Sequence, residues 1–221
     1  MARTVMTDAR EQILARIRSA LADVPATETA GDVAVARDYR RAGGLDAVGR
    51  VALLIDRLLD YHAEVRRVAP GAVTDAVDRA CARWELSRVA VPPSLASEWR
   101  PTGAEVVEDD GLTPAQLDAI DGAVTGCATA IAQTGTLVLD GEGACGRRVL
   151  TLVPDHHICI VATDQIVELV PEAIAALAPG VRERRTPVTF VSGPSASSDI
   201  ELSRVEGVHG PRRLLVLIVA G

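Results

Sequence analysis

Aromatic side chains are nearly missing from this 221-residue sequence; Phe, Trp and Tyr together make up 2%. With 48% of the chain hydrophobic, the interior must be filled by Val, Leu, Ile and Ala. That composition suits strands covered by helices. A long apolar run is also lacking. The longest, residues 214–220, falls far short of the ~20 residues a membrane-spanning helix needs. No secretory signal is legible at the N-terminus, where a polar stretch runs into an amphipathic pattern. The expected setting is therefore the cytoplasm, with Cys81, Cys127, Cys145 and Cys159 as reduced thiols. No two of these form a C-x-x-C pair, so no self-contained zinc or iron–sulfur site is expected, and no cofactor. Positive charge is in deficit as well. With 23 basic and 30 acidic residues the formal net charge is −7. Nucleic acid is then not an expected partner, because phosphate neutralisation needs clustered cations. The densest basic group, Arg182, Arg184 and Arg185, reads as a solvated helix end. Also absent are G-x-G-x-x-G after a strand, the phosphate-loop signature and the G-x-S-x-G nucleophile elbow.

What is present is an alternation of helical and short apolar segments. A chain of this length buries roughly 70% of its unfolded surface, enough for one large domain without staples. Asp8 with Glu11 resembles a capping box, and Ile13, Leu14, Ile17 and Leu21 follow on one helical face, with the helix ending near Val24-Pro25. Residues 25–44 lack periodicity and read as a linker or mobile arm. The expected organisation is an N-terminal helix and arm over 1–44 and an α/β domain over 45–221. Within the domain, helices are expected over 45–59, 72–83 and 165–177, and after Thr113-Pro114. Strands are expected over 63–68, 87–91, 104–107, 136–139, 148–153, 157–162, 188–191 and 214–219. This order predicts an α/β fold with a mostly parallel sheet flanked by helices.

Three turns carry the chemistry. In Thr134-Gly135-Thr136, Gly135 suits φ > 0 and close ligand approach, successive N–H groups suit an anion nest, and two hydroxyls flank it. A tight hairpin with solvent-facing threonines fits the same residues. Ser192-Gly193-Pro194-Ser195, followed by Asp199 and Glu201, leaves a strand for what is expected to be the carboxyl edge of a sheet, where α/β proteins bind ligands. An ordinary turn preset by Pro194 reads equally well. His209 sits between Gly207 and Gly210, with an imidazole free to act as acid, base or anion ligand. His209, Asp199 and Glu201 are the catalytic candidates; Thr134, Gly135, Thr136, Ser192, Gly193, Ser195 and His209 are the binding candidates. A Ser195/His209/Asp199 triad can be drawn, but triads are recognised by geometry. His156 and His157 are neighbours on a strand and face opposite ways, so no metal site is expected there.

Taken in order, these segments resemble the lactate-utilisation protein C family, or LUD domain. The resemblance is carried by the stretch from Ile131 through Gln133-Thr134-Gly135-Thr136 to Leu139, by Pro154 with His157, by Ser192-Gly193-Pro194-Ser195 with Asp199 and Glu201, and by Gly207 to Pro211. It implies a fold similar to glucosamine-6-phosphate deaminase, ribose-5-phosphate isomerase and the CoA transferases. It further implies a non-redox component of a system oxidising L-lactate to pyruvate, with iron–sulfur subunits as partners. The alternative is a stand-alone enzyme acting on a small phosphorylated or carboxylated metabolite. Two departures bear on this choice. Gln133 stands where the family often has Glu, which removes a carboxylate base. Ala196-Ser197-Ser198 stands where a basic residue is common, so a cation for an anionic ligand must come from elsewhere, such as Arg147 or Arg148.

Overall fold

The structure, a computed structural model, describes residues 2–25, 27–29, 31–32, 34–197, 205–207 and 209–220. The chain divides into two compact units, Met1–Tyr39 and Arg40–Gly221. In the first, helix α1 spans Ala2–Ala20. It starts ahead of Asp8, so Asp8 lies inside the helix and the Asp8–Glu11 capping box is not its start. The expected face is there, with Ile13, Ile17 and Leu21 exposed.

The second unit opens with α2 (Ala47–Asp60), whose N-cap Asp46 accepts from the Gly49 N–H at 2.7 Å. Val51, Leu54 and Leu58 turn inward at helical spacing. Strand β1 (Glu64–Val68) leads to α3 (Val73–Arg83), β2 (Arg88–Val91), β3 (Glu105–Glu108) and the short α4 (Pro114–Asp118). Thr113 and Gln116 form a reciprocal capping box on α4, with Pro114 in its first turn. Then come β4 (Gly122–Gly126), β5 (Thr129–Ile131), β6 (Thr136–Leu139), β7 (His156–Ala162), β8 (Ile166–Val167), α5 (Val170–Arg184), β9 (Thr189–Val191), β10 (Ala196–Ser197), β11 (Val205–Glu206) and β12 (Arg213–Val219).

Six strands make a wholly parallel sheet in the order β1-β12-β7-β4-β2-β3. Alternation along β12 feeds two cores. Leu215, Leu217 and Val219 pack with Val73, Val77 and Ala80 of α3, while Leu214, Val216 and Ile218 pack with Leu54 and Leu58 of α2. The α2 side also receives a second, mixed sheet, ordered β8-β5-β6-β9, which supplies Ala130, Leu137 and Leu139. Ala173 of α5 packs against Ile131 and Val138 of that sheet. At about 1.5–3 kcal/mol per fully buried Leu or Val, these aliphatic layers supply the driving force that aromatics supply elsewhere.

Two elements differ from expectation. Residues 148–153 do not form a strand; Arg148–Thr151 is a 3₁₀ turn whose own Leu150 and Thr151 are buried. Residues 165–177 are not one helix. Ile166–Val167 pairs with β5, and α5 starts only at Val170, with Pro171 in its first turn and the Glu172 carboxylate accepting from the Glu168 and Leu169 N–H groups. Both segments are apolar at helix-like intervals, and periodicity alone does not separate a buried strand from the helix after it.

Candidate functional site

Ser192-Gly193-Pro194-Ser195 leaves β9, which belongs to the smaller mixed sheet. It therefore does not extend the carboxyl edge of the parallel sheet, as expected from the sequence. Instead it faces residues at the amino ends of β7 and β12. Between them lies a cleft of about 230 Å³. Ser192, Gly193, Ser195 and His209 line it, together with Arg148, Thr151 and His157. The loops are stitched by backbone bonds from Ser195 N–H to Pro211 C=O (2.8 Å) and from Gly207 N–H to Ser195 C=O (3.1 Å). The His209 N–H donates to Ser195 Oγ at 3.0 Å, and the His209 residue is exposed. Ser195 Oγ thus accepts from a backbone N–H, and among the described residues no acceptor takes its own proton.

Thr134, Gly135 and Thr136 do not line this cleft; they stand behind it. Thr134 Oγ1, Thr136 Oγ1 and Ser192 Oγ form a chain of hydroxyls, each step 2.7 Å. Thr136 is buried and its hydroxyl also lies 3.3 Å from the Thr134 carbonyl. The turn therefore orients Ser192. Gly135 does adopt positive φ (+59°), yet what approaches its backbone is α2. A Cβ there would lie 2.7 Å from Arg57 Cβ and 3.0 Å from Arg57 backbone carbon. Its N–H is committed to the Ala132 carbonyl. Gly193 (φ +86°) repeats the arrangement one helical turn later, where a Cβ would lie 2.6 Å from Tyr61 Cβ. Both glycines let the two turns close on the same helix. Asp199 and Glu201 lie outside the described residues, and with them the third member of any Ser195/His209/Asp199 arrangement.

The two arginines offered by the sequence separate cleanly. Arg147 is engaged: its Nε and Nη2 both reach the Asp109 carboxylate, and Nη2 also donates to the Leu112 carbonyl. This clamp ties the turn after β3 to the segment carrying Arg148. Arg148 lines the cleft and, among the described residues, its guanidinium meets only Thr151 Oγ1, at 3.3 Å. Partial burial lowers its pKa from the ordinary guanidinium value, which leaves a permanent charge that is incompletely solvated. The sequence contains no lysine, so any strong cation in a binding site here must be an arginine.

His157, which the sequence offered as a strand start within the family resemblance and not as a binding residue, lines the cleft at 1% exposure, with Nε2 2.8 Å from Thr125 Oγ1. Burial, and then the Arg148 charge, push its pKa down to about 4. It is a neutral imidazole at physiological pH. His156 turns the other way, with Nδ1 2.9 Å from the Asp121 carbonyl and its ring 5.2 Å from that of Trp84. Among the described residues no cluster of three His, Cys, Asp or Glu is placed to hold a metal, and no helix is long and apolar enough to cross a membrane. All four cysteines are free and buried.

Residues 86–219, which hold the cleft and both sheets from β2 onward, match the family model described as the LUD domain. The protein named Lactate utilization protein C of Deinococcus radiodurans is 49% identical over 169 residues, covering 74% of this chain and 76% of that one. The protein of the same name in Bacillus subtilis is 26% identical over 236 residues, covering 96% of each. Among solved structures, the crystal structure of a DUF162 family protein from Deinococcus radiodurans aligns with a TM-score of 0.69 at 38% identity, covering 80% of this chain and 99% of that one.

Proposed function

Because the chain belongs to the LUD domain family, we propose that it is a component of an L-lactate utilisation system that binds a small anion in the cleft beside Arg148. The observation that carries this is the 49% identity, over three quarters of the chain, to a relative named Lactate utilization protein C. The chemistry of the cleft supports it. A partly desolvated guanidinium, the hydroxyls of Thr151, Thr189, Ser192 and Ser195 and a neutral imidazole make an environment for an anion, not a cation. Oxidation of lactate to pyruvate removes two electrons. In this reading they pass to iron–sulfur partner subunits in the cytoplasm, and this chain positions an anion or a partner.

The test is genetic and biochemical together. A strain lacking this chain is expected to lose growth on L-lactate as sole carbon source and keep growth on pyruvate. The tagged chain is expected to bring down iron–sulfur subunits. His209→Ala is expected to reduce growth on lactate while leaving the melting temperature unchanged. Normal growth of the deletion strain on lactate would sink the proposal.

A further inference from the structure

His157 lines the cleft while one of its ring nitrogens is held from behind by Thr125. Strands β4 and β7 run parallel, with Ala123 opposite His157 and Thr125 opposite Cys159, so Thr125 and His157 are diagonal neighbours on one face. Thr125 is fully buried, and among the described residues its hydroxyl meets only His157 Nε2, at 2.8 Å. The proton between them can belong to either group. If Nε2 carries it and donates, the hydroxyl's own proton is left in the core with no acceptor, and a buried unmatched donor is costly. If the hydroxyl donates, Nε2 accepts with its lone pair and both groups are matched. A neutral imidazole has one ring proton, and burial with the Arg148 charge keeps this ring neutral. The matched arrangement therefore puts that proton on Nδ1.

Nδ1 has no hydrogen-bond partner among the described residues, yet it is not enclosed. The buried side-chain polar atoms left unpartnered there are Arg50 Nε and Thr186 Oγ1. The accessible edge of Nδ1 therefore opens on the cleft that His157 lines. We propose that Thr125 fixes His157 in its Nδ1–H form, so that the cleft is met by a neutral N–H donor, and that this donor and the Arg148 guanidinium together hold an oxygen of the bound anion. This rests on the reading of the cleft as an anion site and adds the residue that positions the anion in it. The nitrogen facing the ligand has no lone pair to take a proton, so His157 orients the anion and is not a base toward it. Thr125 does not touch the ligand; it is a positioning residue that acts through His157. His156 is an internal reference. Its Nδ1 lies 2.9 Å from the Asp121 carbonyl, which only accepts, so that ring also carries a proton on Nδ1.

The full-length chain, made with isotope-labelled histidine, is read at neutral pH by NMR spectra that correlate ring protons with both ring nitrogens. His157 is assigned by the signals lost in His157→Asn. The expected spectrum has His157 protonated on Nδ1 and bare on Nε2. Thr125→Val is expected to draw the two nitrogen resonances together as the Nε2–H form enters, while Thr125→Ser keeps the wild-type pattern and His156 stays unchanged in both. Inorganic phosphate and acetate are then titrated at constant ionic strength, by calorimetry and on the same spectra. Binding is expected to shift the Nδ1 proton along the calorimetric saturation curve. His157→Asn, whose amide nitrogen falls near the place of Nδ1, is expected to keep the affinity. His157→Leu is expected to weaken it by about tenfold or more at unchanged circular dichroism, the scale of one hydrogen bond to a charged group. A wild-type spectrum with the proton on Nε2 overturns the inference, and that measurement needs no variant to fold. An unchanged His157 pattern in Thr125→Val overturns the role of Thr125. Anion binding that leaves the Nδ1 proton unmoved overturns the donor role. No binding of either anion, with Nδ1 protonated, overturns the reading of the cleft as an anion site and not the tautomer.

Discussion

His157 shows what a single buried residue does to the pH response. An exposed imidazole titrates near 6.5; this one, enclosed beside Arg148, is pushed to about 4. Between those values the unfolded chain takes up a proton that the folded chain refuses. Stability is then full above about pH 6.5 and is lost progressively as pH falls toward 4. At 1.36 kcal/mol per unit the whole effect is on the order of 3 kcal/mol. Chemical denaturation of the wild type should therefore show about 2 kcal/mol lost between pH 6.5 and 4.5, and His157→Gln should flatten that loss whatever its own stability at pH 7. An unchanged slope in the variant would assign the acid sensitivity to other groups. Glu168 acts in a lower window. Its pKa is depressed by the Leu45 N–H against the opposing effect of burial, with help from Gly44 and Arg40, so its contribution is lost only as pH falls below the ordinary carboxylate range.

Helix α2 is the element on which both glycine turns converge. Arg57 faces Gly135 and Tyr61 faces Gly193. A methyl group at either position meets backbone or Cβ atoms of the helix and a left-handed backbone at once. Gly135→Ala and Gly193→Ala are each expected to cost about 1–3 kcal/mol by urea denaturation. The double variant is expected to cost less than the sum, because the first substitution already moves the helix from the second. Strict additivity would show that the two turns pack independently. This pairing marks where the sequence stopped being legible. The strands of the parallel sheet were readable because runs such as Leu214 to Val219 are apolar on both faces. The turns were readable as turns, because Gly next to Thr, Ser and Pro admits little else. Which turn met which was not readable, since β6 and β9 pair across some fifty residues of sequence and Thr136 meets Ser192 only through that pairing. The same gap left Arg148 as one of two arginines on offer and gave His157 no place beside it. A 3₁₀ turn leaves no periodic signature, and a histidine beginning an apolar strand looks like core until its neighbour across the cleft is known.

At the scale of the molecule, the boundary between the two compact units falls at Tyr39 and Arg40, and one carboxylate explains why the second unit reaches back so far. Glu168, buried at the end of the mixed sheet, accepts from the Gly44 and Leu45 N–H groups at 2.7 Å each and lies 3.4 Å from Arg40. Gly43 passes so close to its side chain that a Cβ has no room. Residues 40–45 thus act as a strap whose donors satisfy a charge that the sheet buries. Removing the strap leaves that carboxylate without its partners and lowers the stability of the domain. Two truncations separate the strap from the arm before it. A chain starting at Arg40 keeps every partner of Glu168 and is expected to melt with the full-length protein. A chain starting at Asp46 is expected to melt several degrees lower, and Glu168→Gln in that shorter chain is expected to recover part of the loss, because a neutral amide is cheaper to leave unpaired than a charge. Equal melting temperatures for the two truncations would show that water replaces the strap at no cost and that the folded unit begins with α2.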